Sequence, residues 1–291
     1  MIRATRLGMN ELTKLNLAKV NRSLQLKEEQ AVSGHRINRP SDDPGALTEM
    51  HRLYDTLEDL SVYKKNAGFS SDLLNEMDGA LSGVHDLLVR ARELATAMSS
   101  STYSAADRAN TAPEVQELYN TLVTLANTNA NGRYVFAGDA YQAAAFTAAG
   151  VYQGANTTPS TRIADNQWVQ TGYDGSQVFQ STTDIFASLN TLITGLQTNN
   201  VVNIQASMGT MQTATDQISL WRASIGAEVN ASDDAITTGE GMATLLTNRL
   251  DSLVNIDETE VYLDVSELRN TYESTLRVSA TANQTSLFEL I

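Results

Sequence analysis

The sequence of 291 residues contains no cysteine, which excludes disulfides, thiolate nucleophiles and cysteine-bound metals. Aromatic residues make up only 6%, with two tryptophans, and this composition favours long helices over a compact enzyme core. No stretch approaches the roughly 20 apolar residues that a membrane helix needs, and the N-terminus lacks an apolar run of the signal-peptide type. We therefore expect a soluble protein whose export would need no cleaved signal.

Basic charge is also scarce: the formal net charge is −14. This argues against a nucleic-acid partner, because phosphate binding needs a concentrated basic face. The charge is unevenly distributed, since residues 1–40 carry eight basic and three acidic side chains, a net +5, whereas residues 251–291 carry two basic and eight acidic, a net −6. Opposite charges favour a side-by-side arrangement of the two ends, although two solvated helix faces would give the same pattern.

The three histidines, His35, His51 and His85, share no metal-binding spacing. The sequence also lacks the glycine-framed serine of hydrolases, the phosphate-binding loop and the dinucleotide-binding glycine motif. We predict no catalytic, cofactor-binding or metal-binding residues, and therefore a protein that is not an enzyme.

Apolar residues recur at alternating spacings of three and four in two long segments, which is the pattern of a heptad seam. The first, residues 53–98, predicts a helix that begins at Pro44. The second, residues 204–253, predicts a long partner helix. Val261 then follows Leu253 after eight residues, where a strict heptad would take seven, so we place a boundary between two bundle segments there.

The terminal segments carry shorter seams that are too thin to stabilise isolated helices. We predict that these seams form coiled-coil and subunit contacts, although they could also close within one chain. The predicted contact residues are Leu17, Val20, Leu24, Ala31, Val261, Val265, Leu268, Tyr272 and Leu276.

The middle of the chain has a different pattern. A further helix is predicted from about Ser104 to Asn127, with Pro113 expected to begin or restart it. The Asn-Gly pair in NANGRYVFAGD (129–139) indicates a turn that feeds a strand. Beyond it, short aromatic and β-branched runs broken by Gly, Asn, Asp and Pro predict a small β-rich insertion over residues 139–182.

The stretch INRPSDDPGAL (37–47) concentrates two of the four prolines around two aspartates. It lacks the alternating ligands of a calcium loop, and adjacent aspartates diverge rather than form a catalytic pair. A joint between two helices explains each residue, because the prolines end one helix and start the next while the polar side chains cap it. We predict an interdomain hinge at Pro40, Ser41, Asp42, Asp43 and Pro44.

These elements predict a mainly α fold: a long antiparallel helical bundle or coiled coil formed by both chain ends, with a small β-rich domain inserted in the middle. We expect three domains. Residues 1–40 with 254–291 form a terminal coiled-coil domain, residues 41–138 with 183–253 form a helical domain, and residues 139–182 form the β-rich domain.

Four motifs in order resemble the N-terminal half of the bacterial flagellin superfamily. They are SGHRINRPSDDPGAL (33–47), VRARELATAMSS (89–100), SAADR (104–108) and LANTNANGRYVFAGD (125–139). Later stretches are more similar to the proteins at the hook-filament junction than to flagellin itself: TRIADNQWVQTGYDGSQVF (161–179), RASIGAEVN (222–230) and the ending TSLFELI. The resemblance covers nearly the whole chain.

The resemblance implies a structural protein of the bacterial flagellum, exported unfolded by the type III apparatus without a cleaved signal and located outside the cell. It implies polymerisation into a homo-oligomeric ring or layer between hook-associated protein 1 and the first flagellin subunits. An export chaperone is expected on the acidic C-terminal segment. The alternatives are a flagellin filament subunit, a secreted coiled-coil protein with an accessory tip domain, and an enzyme within the β-rich insertion. No cofactor, nucleic acid or membrane is expected as a partner.

Overall fold

The structure is a computed structural model that describes residues 2–288, with side chains described from Glu11 to Ala280. The last three residues of the ending TSLFELI lie outside the described part. The fold is mainly α with two small hairpins in the middle, which confirms the predicted fold class. The elements are α1 (Ile2–Ser33), α2 (Pro44–Met98), α3 (Ala105–Ala126), β1 (Asn129–Ala130), β2 (Arg133–Tyr134), β3 (Ser160–Ala164), β4 (Gln167–Gln170), α4 (Gly175–Gln180), α5 (Ile185–Gln197), α6 (Val201–Val254) and α7 (Glu258–Phe288).

The chain forms two compact units. The terminal unit is the described part of Met1–Glu58 and Ala243–Ile291, and the central unit is Asp59–Met242. Helices α2 and α6 contribute residues to both. This division differs from the three domains expected from the sequence, which stay a prediction.

The heptad seam of α2 is buried in the central unit. Leu74, Leu81 and Leu88 have no solvent exposure, and Ile218 and Ile225 of α6 are buried in the same hydrophobic cluster. Beside this core, the Arg222 Nε donates to Asp78 Oδ1 at 2.8 Å. Helix α2 begins at Pro44 and α6 ends at Val254, next to the boundary that the seam offset indicates.

Helix α3 runs without a break through Pro113, so the expectation that this proline begins or restarts the helix is wrong. The start is instead set by Ser104 and Asp107, whose side chains each bond the other's backbone amide in a capping box. A single proline removes one helical hydrogen bond, and the burial of Val115 and Leu122 offsets that loss.

The middle of the chain contains two antiparallel hairpins rather than an extended sheet. The β1–β2 turn has positive φ at both Asn131 (53°) and Gly132 (81°), as a type I′ turn requires. The β3–β4 hairpin pairs Arg162 with Trp168. Part of the region expected to be β-rich forms helix α4, because the Asp174 carboxylate accepts from the Ser176 amide at 2.8 Å and caps that helix.

The middle region shares its core with the helices around it. The Phe146 ring lies 5.4 Å from Phe179 of α4 and 4.9 Å from Phe186 of α5, between ring centroids. The Asn127 side chain at the end of α3 accepts from the Phe146 amide at 2.8 Å and donates to its carbonyl at 2.9 Å. These contacts join the hairpin region to α3, α4 and α5 in one hydrophobic core.

Candidate assembly surface and helix joint

Helices α1 and α7 lie antiparallel in the terminal unit. Val261 and Val265 of α7 are buried there. Two ion pairs cross between the helices: Lys27 Nζ lies 2.7 Å from Asp264 Oδ2, and Arg269 Nη2 lies 2.6 Å from Glu28 Oε1. The first of these joins the basic N-terminal segment to the acidic C-terminal one, as the charge distribution predicts, whereas the second has the reverse polarity.

Most of the predicted contact residues face the inside of this helix pair. Leu276 differs, because 40% of it is exposed. A groove beside the seam is lined by Leu17 and Tyr272 together with the basic side chains of Lys14 and Arg22. Whether any of these residues contacts another subunit stays a prediction. The half-buried members of the set are Leu17, Val20, Leu24, Ala31, Leu268 and Tyr272.

A second apolar face of α1 was missed by the sequence reasoning. Leu12, Leu15 and Leu26 are 61%, 59% and 39% exposed. Their spacings of three and eleven residues bring them to one side of a helix, away from the seam that faces α7. The positions of these three leucines on one side of the helix could have been found from their spacing in the sequence. Helix α1 thus has exposed leucines on a side that α7 does not cover among the described residues, with Lys19 and Arg22 between Leu15 and Leu26 on that side.

The two aspartates of the predicted hinge have separate tasks. Asp42 Oδ2 accepts from the amides of Asn38 and Arg39 at 3.1 and 2.8 Å and closes the turn that contains Pro40 and Ser41. Asp43 Oδ1 accepts from the Ala46 amide at 2.9 Å, so Asp43 caps α2, which begins at Pro44.

The pKa of Asp43 lies below its usual range. The main cause is the hydrogen bond from the Ala46 amide, followed by the bond from the Arg36 side chain. Both stabilise the charged carboxylate. The sequence identified the joint and its capping residues, and whether the joint moves as a hinge stays a prediction.

Arg36 is a further residue of the joint that the sequence reasoning did not single out. Its backbone amide donates to Val254 O at 2.7 Å, and its Nε donates to Leu253 O at 3.2 Å. Its Nη1 donates to Asp43 Oδ2 at 3.2 Å. The segment between α1 and α2 is thereby bound to the end of α6. An arginine seven residues before an N-cap aspartate gives no recognisable signal by itself.

The described residues contain no cluster of three or more His, Asp or Glu side chains that could hold a metal ion. None of the described helices has a stretch both long and apolar enough to cross a membrane. The features that the geometry does offer are exposed apolar helix faces and paired helix ends, which are surfaces for contacts between proteins.

Comparison with known proteins gives matches over most of the chain. The family model of the bacterial flagellin N-terminal helical region matches residues 6–141. Flagellar hook-associated protein 3 of Salmonella typhimurium is 26% identical over 288 residues, covering 90% of this chain and 91% of that relative. The protein of the same name from Escherichia coli is 28% identical over 256 residues, covering 79% and 80%.

A solved structure supports the fold. A flagellar hook-associated protein from Vibrio parahaemolyticus superimposes with a TM-score of 0.67 at 15% identity, covering 74% of this chain and 100% of that chain. The family model, the relatives and the fold agree with the motifs at residues 33–47 and 125–139. Residues 6–141 are therefore similar to the flagellin N-terminal helical region, and the chain resembles hook-associated protein 3 over most of its length.

Proposed function

We propose that the protein is a structural subunit of the bacterial flagellum that joins the hook to the flagellin filament. The observation that carries this proposal is the match to hook-associated protein 3 along 90% of this chain and 91% of that relative. We further propose that the protein is not an enzyme and acts outside the cell, at the junction itself.

Polymerisation would use the terminal helices. Helix α1 has exposed leucines on the side that α7 does not cover, and apolar side chains exposed together on one surface favour association with another protein. Burying them against neighbouring subunits would stabilise a terminal unit that has few fully buried apolar residues of its own. The protein would thus form a homo-oligomeric layer in which the exposed leucines of α1 become buried.

The partners follow from this position in the flagellum. One face of the layer would bind hook-associated protein 1, and the other would bind the first flagellin subunits. Export would take place through the type III apparatus without a cleaved signal, with a chaperone on the acidic C-terminal segment. The −6 net charge of residues 251–291 supports a basic surface on that chaperone.

A deletion strain tests the junction role. Without the gene, we expect cells to have hooks but no attached filaments, and intact flagellin to accumulate in the medium. The wild-type gene should restore filaments. Normal filaments on the deletion strain would refute the proposal, and they are the outcome expected for a secreted coiled-coil protein unrelated to flagella.

Copy number distinguishes a junction protein from the remaining alternative, a flagellin filament subunit. A junction protein should be present at a small constant number of copies for each sheared filament, whatever the filament length. A copy number that rises in proportion to filament length would identify a bulk subunit, since flagellin forms the filament itself.

The role of the exposed face of α1 is tested with two variants of equal charge. Leu15→Asp places a carboxylate on the face formed by Leu12, Leu15 and Leu26, whereas Val32→Asp replaces another exposed apolar side chain, 90% exposed, on a different side of the same helix. We expect the first to restore few filaments in the deletion strain and the second to restore them fully. Equal restoration would show that polymerisation does not use this face.

A further inference from the structure

The motif SGHRINRPSDDPGAL contains an arginine whose contacts extend to three helices of the terminal unit. The Arg36 carbonyl accepts from Nε2 of Gln30, a buried residue near the end of α1, at 2.7 Å. Its amide and Nε bond the Val254 and Leu253 carbonyls in the last turn of α6, and its Nη1 bonds Asp43, the N-cap of α2.

These bonds satisfy groups that helix ends leave without partners. The last carbonyls of a helix have no intrahelical donor, and a cation beside them is also favoured by the helix dipole. The guanidinium fork holds Nε and Nη1 in a fixed geometry, so it can bind the Leu253 carbonyl and the Asp43 carboxylate together.

The two linkers of the terminal unit also meet beside this arginine. His35 and Asn255 form an antiparallel β-bridge. The Ile256 amide donates to the Gly34 carbonyl at 3.3 Å, next to the bond from the Arg36 amide to Val254. The α1–α2 linker and the α6–α7 linker therefore share a short ladder that has Arg36 on one strand.

We propose that Arg36 is the positioning residue of this joint, and that its side chain couples the first turn of α2 to the last turn of α6 and to the linker after it. A change at Asp43 then affects the bond between Ile256 and Gly34, although the Asp43 side chain contacts neither residue in its described hydrogen bonds. The bridge between the linkers is held by the arginine and not by the backbone ladder alone.

Hydrogen exchange of the purified full-length protein tests the coupling. Loss of a hydrogen bond to a charged group allows more frequent local opening, so we expect Arg36→Gln to speed exchange of the Arg36-position and Ile256 amides by about tenfold. Asp43→Asn should speed exchange of the Ile256 amide by about threefold or more, because Arg36 loses its charged partner. In the double variant, Arg36→Gln with Asp43→Asn, exchange of the Ile256 amide should be no faster than in Arg36→Gln alone.

Two further variants serve as controls. Arg39 lies in the same linker and pairs with Glu29 at 2.9 Å, outside the described contacts of α6, so Arg39→Gln should leave the Ile256 amide unchanged. Arg36→Lys keeps the charge but lacks the fork, and it should behave like Arg36→Gln. Full protection in Arg36→Lys would overturn the role of the fork. An Asp43→Asn effect confined to the Ala46 amide would overturn the coupling.

Discussion

At the residue scale, Arg108 shows how much one buried side chain contributes to the central unit. It is 5% exposed, and its guanidinium donates to the carbonyls of Met98 and Ser100 at 2.8 Å each. It also donates to Oδ1 of Asn199, which lies in the turn between α5 and α6. One arginine thereby connects the end of α2, the start of α3 and a distant turn.

Replacing this side chain should destabilise the central unit. In Arg108→Leu, the oxygens of Met98, Ser100 and Asn199 lose their donor, and buried acceptors without partners are costly. We expect the free energy of unfolding, measured by urea denaturation, to fall by about 3 kcal/mol. Arg90→Gln, at an exposed arginine paired with Glu114, is the control and should leave the midpoint nearly unchanged. Equal midpoints for both variants would contradict the structural role of Arg108.

The capping box of α3 predicts a dependence of stability on pH. The pKa of Asp107 is lowered, first by the Ser104 side chain and then by the Ser104 amide, both of which bond its carboxylate. Because the folded pKa lies below the unfolded one, the charged cap stabilises the fold at neutral pH, and this stability is lost as the pH falls through the folded pKa.

Asp107→Asn tests this dependence directly. Melting temperatures of the wild type and the variant should differ at pH 7, begin to approach each other below about pH 4, where the unfolded carboxylate titrates, and converge once the pH falls below the lowered folded pKa of Asp107. A difference that stays constant down to pH 2 would mean that the charge of Asp107 does not contribute to the cap.

At the scale of elements, the α1–α7 pair depends on a small number of buried residues in α7. Val265 lies inside the pair, 9% exposed, whereas Leu276 on the same helix is 40% exposed. A carboxylate at the buried position would have to lose its hydration or separate the helices, and unpaired helices with thin seams are marginal in water. The two positions therefore separate pairing within the chain from contacts with neighbours.

Val265→Asp should abolish the helix pair in the monomer. We expect the circular dichroism at 222 nm to lose the contribution of α1 and α7, which have 32 and 31 residues, while the cooperative melt of the central unit remains. Leu276→Asp is the matched control, since it adds the same charge at an exposed site and should retain the full signal. Loss of signal in both variants would place Leu276 inside the pair in solution.

The long elements were predictable from sequence because their seams extend over many turns. The start of α2 at Pro44 and the burial of Leu74, Leu81 and Leu88 follow from the heptad spacing and the proline. Helix α3 was harder, since the cost of Pro113 is small beside the burial around it. Short segments were hardest to predict. Gly175–Gln180, for example, contains residues that favour strands, but it forms a helix that the Asp174 side chain caps.

The candidate surface was predictable only in part, for a different reason. Spacing identifies one face of a helix, and Val261 and Val265 of the predicted set are buried, whereas the subunit contacts of the set stay a prediction. Spacing does not say which apolar face another helix covers, so the exposed set with Leu12 and Leu15 was missed. The contacts of Arg36 depend on two linkers meeting in space, which no local pattern encodes.

At the scale of the whole molecule, the described hydrophobic cluster lies within the central unit. Its buried members extend from Ala67 to Ile225, all between Asp59 and Met242. A unit that contains its own core is expected to fold independently. The rest of the chain would then not be required for the packing of Phe146, Phe179 and Phe186.

A fragment of residues 59–242 should therefore fold by itself. We expect a single cooperative thermal transition and a near-ultraviolet dichroism signal from Trp221, which packs on Tyr173 with 5.3 Å between ring centroids. Tyr173→Leu would remove the aromatic contact and reduce that signal, which would assign the signal to the packing of Trp221 on Tyr173. A broad transition without near-ultraviolet signal in the fragment would show that the terminal residues are needed for the core.

The pairing of α1 with α7 has a consequence for the order of events during the proposed export. The ion pair between Arg269 and Glu28 joins residues 241 positions apart, so whichever of the two helices leaves the export channel first has no partner until nearly all of the chain has followed it. The central unit can fold before then, because its core lies between Asp59 and Met242. Passage of the last helix through the channel is thus the event that permits the terminal unit to form.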